Sequence, residues 1–269
     1  MRIGYPCINW SLDCRGDRTF RLKSYSEERL VETVGNNLDC LERVLEYNVE
    51  HGFLFFRITS DLIPFASHPV CTFDWAGHFS AKFAKIGEFI RSHDIRISMH
   101  PDQFTLLNSP KPDVVERSIA ELDYHATVLD RMELDTTAKI QIHVGGMYGD
   151  RSAAMATFVE TYEKLSDKIR RRLVIENDDR CYPLKDCMWI HEKTEVPVIF
   201  DVFHHELLSH GEPLGEALDL HASTWDAAVD GPPMLDYSSQ QEGERAGKHA
   251  EHIDVDDFKI FLSASAPHD

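Results

Sequence analysis

Imidazoles and carboxylates stand at the ends of five consecutive apolar runs in this chain. His100 closes Ile97-Ser98-Met99, and His143 closes Ile140-Gln141-Ile142. Glu176 closes Leu173-Val174-Ile175, Asp201 closes Ile199-Phe200 with His204 shortly after it, and Asp236 follows Met234-Leu235. Mixed His, Asp and Glu donors without thiolate suit Zn2+ or Mn2+, and several carboxylates suit a cluster of ions that they bridge. Two or three such ions held a few ångströms apart generate hydroxide and stabilise a phosphoryl leaving group. Taken singly, each residue has a plainer role. Asp201 would cap the loop after it, and Glu176-Asn177-Asp178 would form a polar turn. The repetition across strand ends is what turns the reading towards a metal site. His191 and His210 fall in helical or loop contexts and carry no such signal.

A ring of this kind needs elements that deliver every strand end to one face. Short apolar, β-branched runs alternate with amphipathic stretches along the whole chain. The pattern predicts strands over 2–9, 53–59, 96–100, 139–144, 173–176, 197–202 and 233–237. Helices are expected over 27–50, 76–93, 114–131, 152–170, 184–193, 214–228 and 255–264. This is a βα repeat of parallel-sheet type rather than a run of hairpins. In a parallel barrel the C-terminal residues of all strands converge on one face. The expectation is therefore an α/β fold, a TIM-type (β/α) barrel with seven strands and the eighth missing at the C-terminus. No Gly/Ser/Pro-rich linker divides residues 1–269, so a single domain is expected.

Composition narrows the function classes. The formal net charge of −18 argues against broad electrostatic binding of nucleic acid. It leaves room for a local positive site made by bound divalent cations. Long apolar runs and a secretory leader are both missing from the sequence, so a cytoplasmic, non-membrane protein is expected. Six cysteines without a CxxC pair read as free or buried thiols, not as a zinc-thiolate site. Tyr5 and Asn9 flank the end of the first strand, and Gln103 and Phe104 follow His100-Pro101-Asp102. Rings beside amides can stack on and hydrogen-bond displaced bases; packing and loop solvation are their plainer roles. His68 and His249 lie in loops, and composition alone gives them no role.

Together the segments Gly4-Tyr5-Pro6-Cys7-Ile8-Asn9, Arg57-Ile58-Thr59-Ser60, Ser98-Met99-His100-Pro101, Ile142-His143-Val144-Gly145-Gly146, Ile175-Glu176-Asn177-Asp178 and Phe200-Asp201-Val202-Phe203-His204-His205 resemble the UV damage endonuclease family. That family is related to endonuclease IV in the xylose-isomerase-like barrel class. The resemblance implies an endonuclease that nicks damaged double-stranded DNA 5′ to ultraviolet photoproducts. It implies two or three divalent ions, commonly Mn2+, with Zn2+ or Mg2+ as alternatives. It places His68, His100, His143, Glu176, Asp201, His204 and His249 as ligands, and Asp236 remains able to join them. Glu176 would be the central carboxylate, with Asp201 and His204 holding one ion. Gln103 and Phe104 would probe the lesion, with Tyr5 and Asn9 close to it.

Three departures from the family pattern stand out. Phe104 replaces a frequent tyrosine, so stacking survives without the hydroxyl. Met234-Leu235-Asp236 stands where lysine, any residue, histidine is usual. A final strand with a glutamate ligand has no counterpart after Phe261. No membrane and no obligate protein partner is expected, and the chain reads as a monomer. Two rival functions are a sugar isomerase or epimerase of the same barrel class and a catalytically impaired damage-binding protein.

Overall fold

The computed structural model describes residues 1–266. The chain forms two compact units, one of Met1–Thr105 with Glu116–Ile140 and one of Leu106–Val115 with the chain from Gln141 onward. The first contains β1 (Gly4–Pro6), α1 (Glu27–His51), β2 (Phe55–Ile58), α2 (Trp75–His78), α3 (Ser80–Ser92) and β3 (Arg96–Met99). It also holds most of α4 (Pro112–Arg131) and the opening of β4 (Lys139–His143). Its strands pair in parallel, with Gly4 opposite Phe55, Phe55 opposite Arg96, and Ser98 opposite Lys139.

Local chemistry sets these boundaries. The Ser26 side chain accepts from the Arg29 N–H, and Glu27 and Glu28 sit where the helix dipole favours negative charge. Gly52, at φ 76°, closes α1 in the left-handed conformation that glycine adopts without steric cost. Leu30, Val34, Leu38, Leu41 and Leu45 recur at helical spacing along α1 and are all buried. Gly87 lets α3 approach the Met132 carbonyl more closely than any side chain would allow.

The second unit carries the rest of β4, then α5 (Arg151–Tyr162), α6 (Asp167–Arg170) and β5 (Leu173–Glu176). It continues through α7 (Leu184–Thr194), β6 (Val198–Asp201), α8 (Val202–Leu207), α9 (Leu214–Ala222), β7 (Leu235–Asp236) and α10 (Val255–Ser265). β5 pairs in parallel with β6, and β6 with β7. Every residue of β5 and β6 is buried, as strands covered on both faces require. Both apolar runs end in an acid, Glu176 and Asp201. Tyr237 stacks on Phe261 and packs at a tilt against Phe258 of α10, which fixes the chain just after β7.

The strand order β1-β2-β3-β4-β5-β6-β7 follows the sequence, which is the order of a (β/α) barrel. Seven strands, and no eighth, occur among the described residues. No helix among the described residues is long and apolar enough to cross a membrane.

The structure corrects several details. The first and last strands are shorter than their apolar runs suggest, and β7 is only two residues long. The helix expected over 76–93 is two helices broken at Phe79, and the Asp74 carboxylate accepts the Gly77 N–H to cap the start of the first. The helix expected to reach residue 228 ends at Ala222, where the Ser223 and Thr224 hydroxyls donate to the Leu220 and His221 carbonyls. The thiols are not all free: Cys14, in the loop after β1, forms a disulfide with Cys40 on α1. Cys7, Cys71, Cys181 and Cys187 are free thiols. The disulfide spans a sequence separation of 26, a loop whose closure restrains the unfolded chain by about 3 kcal/mol.

Candidate metal centre

The centre lies within the second unit and is built on strand ends. Glu176 ends β5 and is 2% exposed; Asp201 ends β6 and is 5% exposed. His204 sits on the first turn of α8, and the Asp201 carboxylate accepts the His204 backbone N–H at 2.9 Å. Asp201 thus does cap the following helix, and its second oxygen still faces the site. His204 Nδ1 lies 3.3 Å from Glu176 Oε1 and 3.5 Å from Asp201 Oδ2. One ligand atom from each of Glu176, Asp201 and His204 falls within 4.8 Å of the other two. That is the spacing of donors around a shared cation, with the carboxylate and imidazole chemistry that a divalent ion takes. The donor set fits a metal.

Asn177 locks this corner together. Its side-chain amide donates to the Asp201 carbonyl at 3.0 Å and accepts from the Asp201 N–H at 2.9 Å. Its backbone carbonyl lies 2.9 Å from His204 Nδ1. With Nδ1 donating to that carbonyl, Nε2 keeps the lone pair a metal needs. The neighbouring Asp178 plays the plainer role, its carboxylate accepting the N–H groups of Arg180, Cys181 and Tyr182 in a turn.

The electrostatics show an excess of negative charge. Burial, then the Glu176 charge, pushes the Asp201 carboxyl well above the usual carboxylate range. Burial disfavours the His204 imidazolium, but its hydrogen bond to Glu176 and the charges of Asp201 and Glu176 outweigh that and raise it to about 9. An isolated ion pair would lower its acid while raising its base. Here both rise, Asp201 through burial first and the Glu176 charge second, His204 through its hydrogen bond to Glu176 and the neighbouring carboxylate charges.

Around this core the structure places further residues. His143, at the end of β4, has Nε2 3.9 Å from Glu176 Oε2, and its ring centroid lies 5.7 Å from that of His204. The His249 ring is 5.9 Å from His204 on another side, packed edge-on to Phe203. Burial, then the His204 charge, lowers the His249 imidazole. Asp236 ends β7 and reaches the same group through Gln141, whose side-chain N–H groups go to Glu176 at 2.6 Å and Asp236 at 2.5 Å. Neither Gln141 nor Asn177 is assigned a role by sequence reasoning. For Gln141 a signal exists, since it stands two residues before His143 and so leaves β4 on the same face.

The loop after His143 is itself held. Gly145, at φ 118°, packs against the Asn108 side chain with no room for a Cβ. Asn108 and Tyr182 both donate to the Gly146 carbonyl at 2.8 Å.

The first unit carries the remaining candidates. His100 follows β3 directly, with Nδ1 2.7 Å from the Pro101 carbonyl. His68 is exposed, and its Nδ1 accepts the Val70 N–H at 3.0 Å. Tyr5 is engaged rather than free: its hydroxyl donates to Asn48 and accepts from Asn9, and its ring packs edge-on against Phe53 and Phe56. Asn9 is buried. Gln103 is exposed, and Phe104 holds its ring in solvent at 72% exposure.

A profile of the family described as UV-endonuclease UvdE matches residues 1–267. The chain belongs to this family. A UV DNA damage endonuclease of Clostridium perfringens (strain 13 / Type A) is 38% identical over 261 residues, 96% of this chain and 63% of that protein. A UV DNA damage endonuclease of Bacillus cereus (strain ATCC 10987 / NRS 248) is 36% identical over 270 residues, 97% of this chain and 85% of its own length. The crystal structure of SacUVDE superposes with a TM-score of 0.95 at 46% identity, covering 98% of this chain and 89% of that one. This UvdE-family chain accordingly has the incomplete (β/α) barrel fold that its strand order indicates.

Proposed function

We propose that this UvdE-family chain is a divalent-metal-dependent DNA-repair endonuclease that nicks the strand 5′ to ultraviolet photoproducts. The observation that carries the reading is the buried Glu176–Asp201–His204 cluster, crowded with negative charge and lying on strand ends. Glu176, Asp201 and His204 hold one ion in this reading. His143, Asp236 and His249 complete the second unit's ligands, and the family likeness adds His68 and His100. Mn2+ is the proposed metal, in two or three sites. Ions in such sites activate water at neutral pH and neutralise charge on the phosphoryl oxygens of the scissile bond.

The chain's own residues supply orientation and recognition. Asn177 keeps His204 in one tautomer, and Asp201 caps the helical turn that carries the same histidine. Phe104, exposed beside Gln103, offers a stacking face to a base turned out of the duplex, a contact worth about 1–3 kcal/mol per base. Tyr5 and Asn9, hydrogen-bonded to one another, support the lesion contacts from within the first unit. A damaged step costs less to unstack than an intact one, which gives selectivity without a broadly basic surface. The substrate is damaged double-stranded DNA, met inside the cell by a monomer.

Metal-stripped protein incubated with ultraviolet-irradiated plasmid tests this reading. Nicking is expected on addition of Mn2+ and is abolished by excess chelator. Undiminished nicking in chelator would sink it. Lesion binding without nicking in saturating Mn2+ would assign the chain to the impaired binders, and interconversion of a ketose would assign it to the epimerases.

A further inference from the structure

Resting on the metal-centre reading, we propose that Gln141 is a positioning residue that sets which oxygens of Glu176 and Asp236 face the ions. Gln141 is fully buried on β4, and its side-chain nitrogen donates to Glu176 Oε2 at 2.6 Å and to Asp236 Oδ2 at 2.5 Å. A primary amide carries two N–H bonds, one for each acid. The two acids come from β5 and β7, so a single side chain couples two non-adjacent strand ends. Glu176 Oε2 is thereby turned to the side of Gln141 and His143, while Oε1 is turned to His204.

The residue type matters as much as the place. A glutamate at position 141 would add another carboxylate beside the buried Glu176 and Asp201 and the half-buried Asp236, and remove both donors. A leucine would take both donated hydrogen bonds away from the two acids, and losing a hydrogen bond to a charged group out of full solvent contact is costly. The amide of glutamine is neutral, reaches both acids and donates twice. It also ties Asp236 to the centre in this chain, where the residue two before it is the apolar Met234, a side chain without a cation-binding oxygen. Groups that hydrogen-bond to ligating carboxylates orient them, and their loss costs about 10–100-fold in metal affinity.

The test is Mn2+ titration of the metal-free full-length protein by calorimetry, for the parent, Gln141→Leu and Gln141→Met. Circular dichroism and a cooperative melt check that each variant is folded, and the two variants differ enough that one misfolding leaves the other to decide. Gln141→Leu is expected to weaken Mn2+ binding by about 10–100-fold. Gln141→Met, of similar length but without either donor, is expected to weaken it to a similar extent. Affinity of either folded variant within twofold of the parent, or tighter, overturns the proposal. A parent that takes up no Mn2+ overturns both this proposal and the metal-centre reading. A parent that binds Mn2+ in a Gln141-dependent way but does not nick DNA contradicts only the proposed function.

Discussion

Replacing Glu176 with glutamine is expected to abolish nicking while leaving the metal-free protein no less stable. Glu176 lies between the two sides of the centre, with Oε1 towards His204 and Oε2 towards Gln141 and His143. Its charge would stabilise bound cations, and in the metal-free protein it repels Asp201. An ion that neutralises phosphoryl charge contributes several kcal/mol to the transition state, so its loss or displacement corresponds to about a thousandfold or more in rate. The amide introduced by Glu176→Gln would keep an acceptor for Gln141 and remove one buried like charge. Stability and activity therefore move apart, as they do where a site is strained for function. Initial nicking rates on irradiated plasmid and calorimetric melting of the metal-free protein measure the two effects. A rate within tenfold of the parent would contradict Glu176 as the central ligand.

The second large effect is on pH. Asp201 and His204 are both held above their ordinary values in the metal-free cluster. Each therefore binds its proton more tightly in the folded chain than in the unfolded one. The resulting stabilisation of the metal-free protein is complete below the unfolded values and fades as pH rises towards about 9, the value at which His204 is held. Mn2+ needs the deprotonated ligands, so its affinity runs the other way. Each displaced proton tightens binding by about tenfold per pH unit in this range. The melting-temperature increase produced by a fixed Mn2+ concentration should accordingly widen steadily from pH 6 to pH 8.5. An increase that does not vary with pH would mean that the ions bind elsewhere.

Much of this arrangement is legible in the sequence, for identifiable reasons. β5 and β6 are continuous apolar runs ending in acids, the usual composition of a fully buried parallel strand. The placement of His100, His143, Glu176, Asp201 and Asp236 follows from strand polarity once the βα alternation is seen. Helix ends are less legible where they depend on a single side chain, as with Asp74 on Gly77 or Thr224 on His221. The Cys14–Cys40 pair has no spacing motif and exists only because the loop after β1 returns to α1. Gln141 and Asn177 are hidden for a different reason. Their side chains hydrogen-bond groups on other strands, Gln141 to Glu176 and Asp236 and Asn177 to the Asp201 backbone, and such partners are visible only once the strands are side by side. Tyr5 and Asn9 show the converse: residue types that suit a base contact are here also bonded to one another and to Asn48.

One measurement bears most directly on the central claim that a metal cluster on these strand ends cuts DNA beside ultraviolet damage. An end-labelled duplex carrying a single cyclobutane pyrimidine dimer at a known position is incubated with the metal-free protein, with and without Mn2+. The products are then sized to the nucleotide. The account predicts one Mn2+-dependent cut immediately 5′ to the dimer, absent from the undamaged duplex. Cutting that ignores the dimer, or that proceeds equally without a divalent ion, would contradict it.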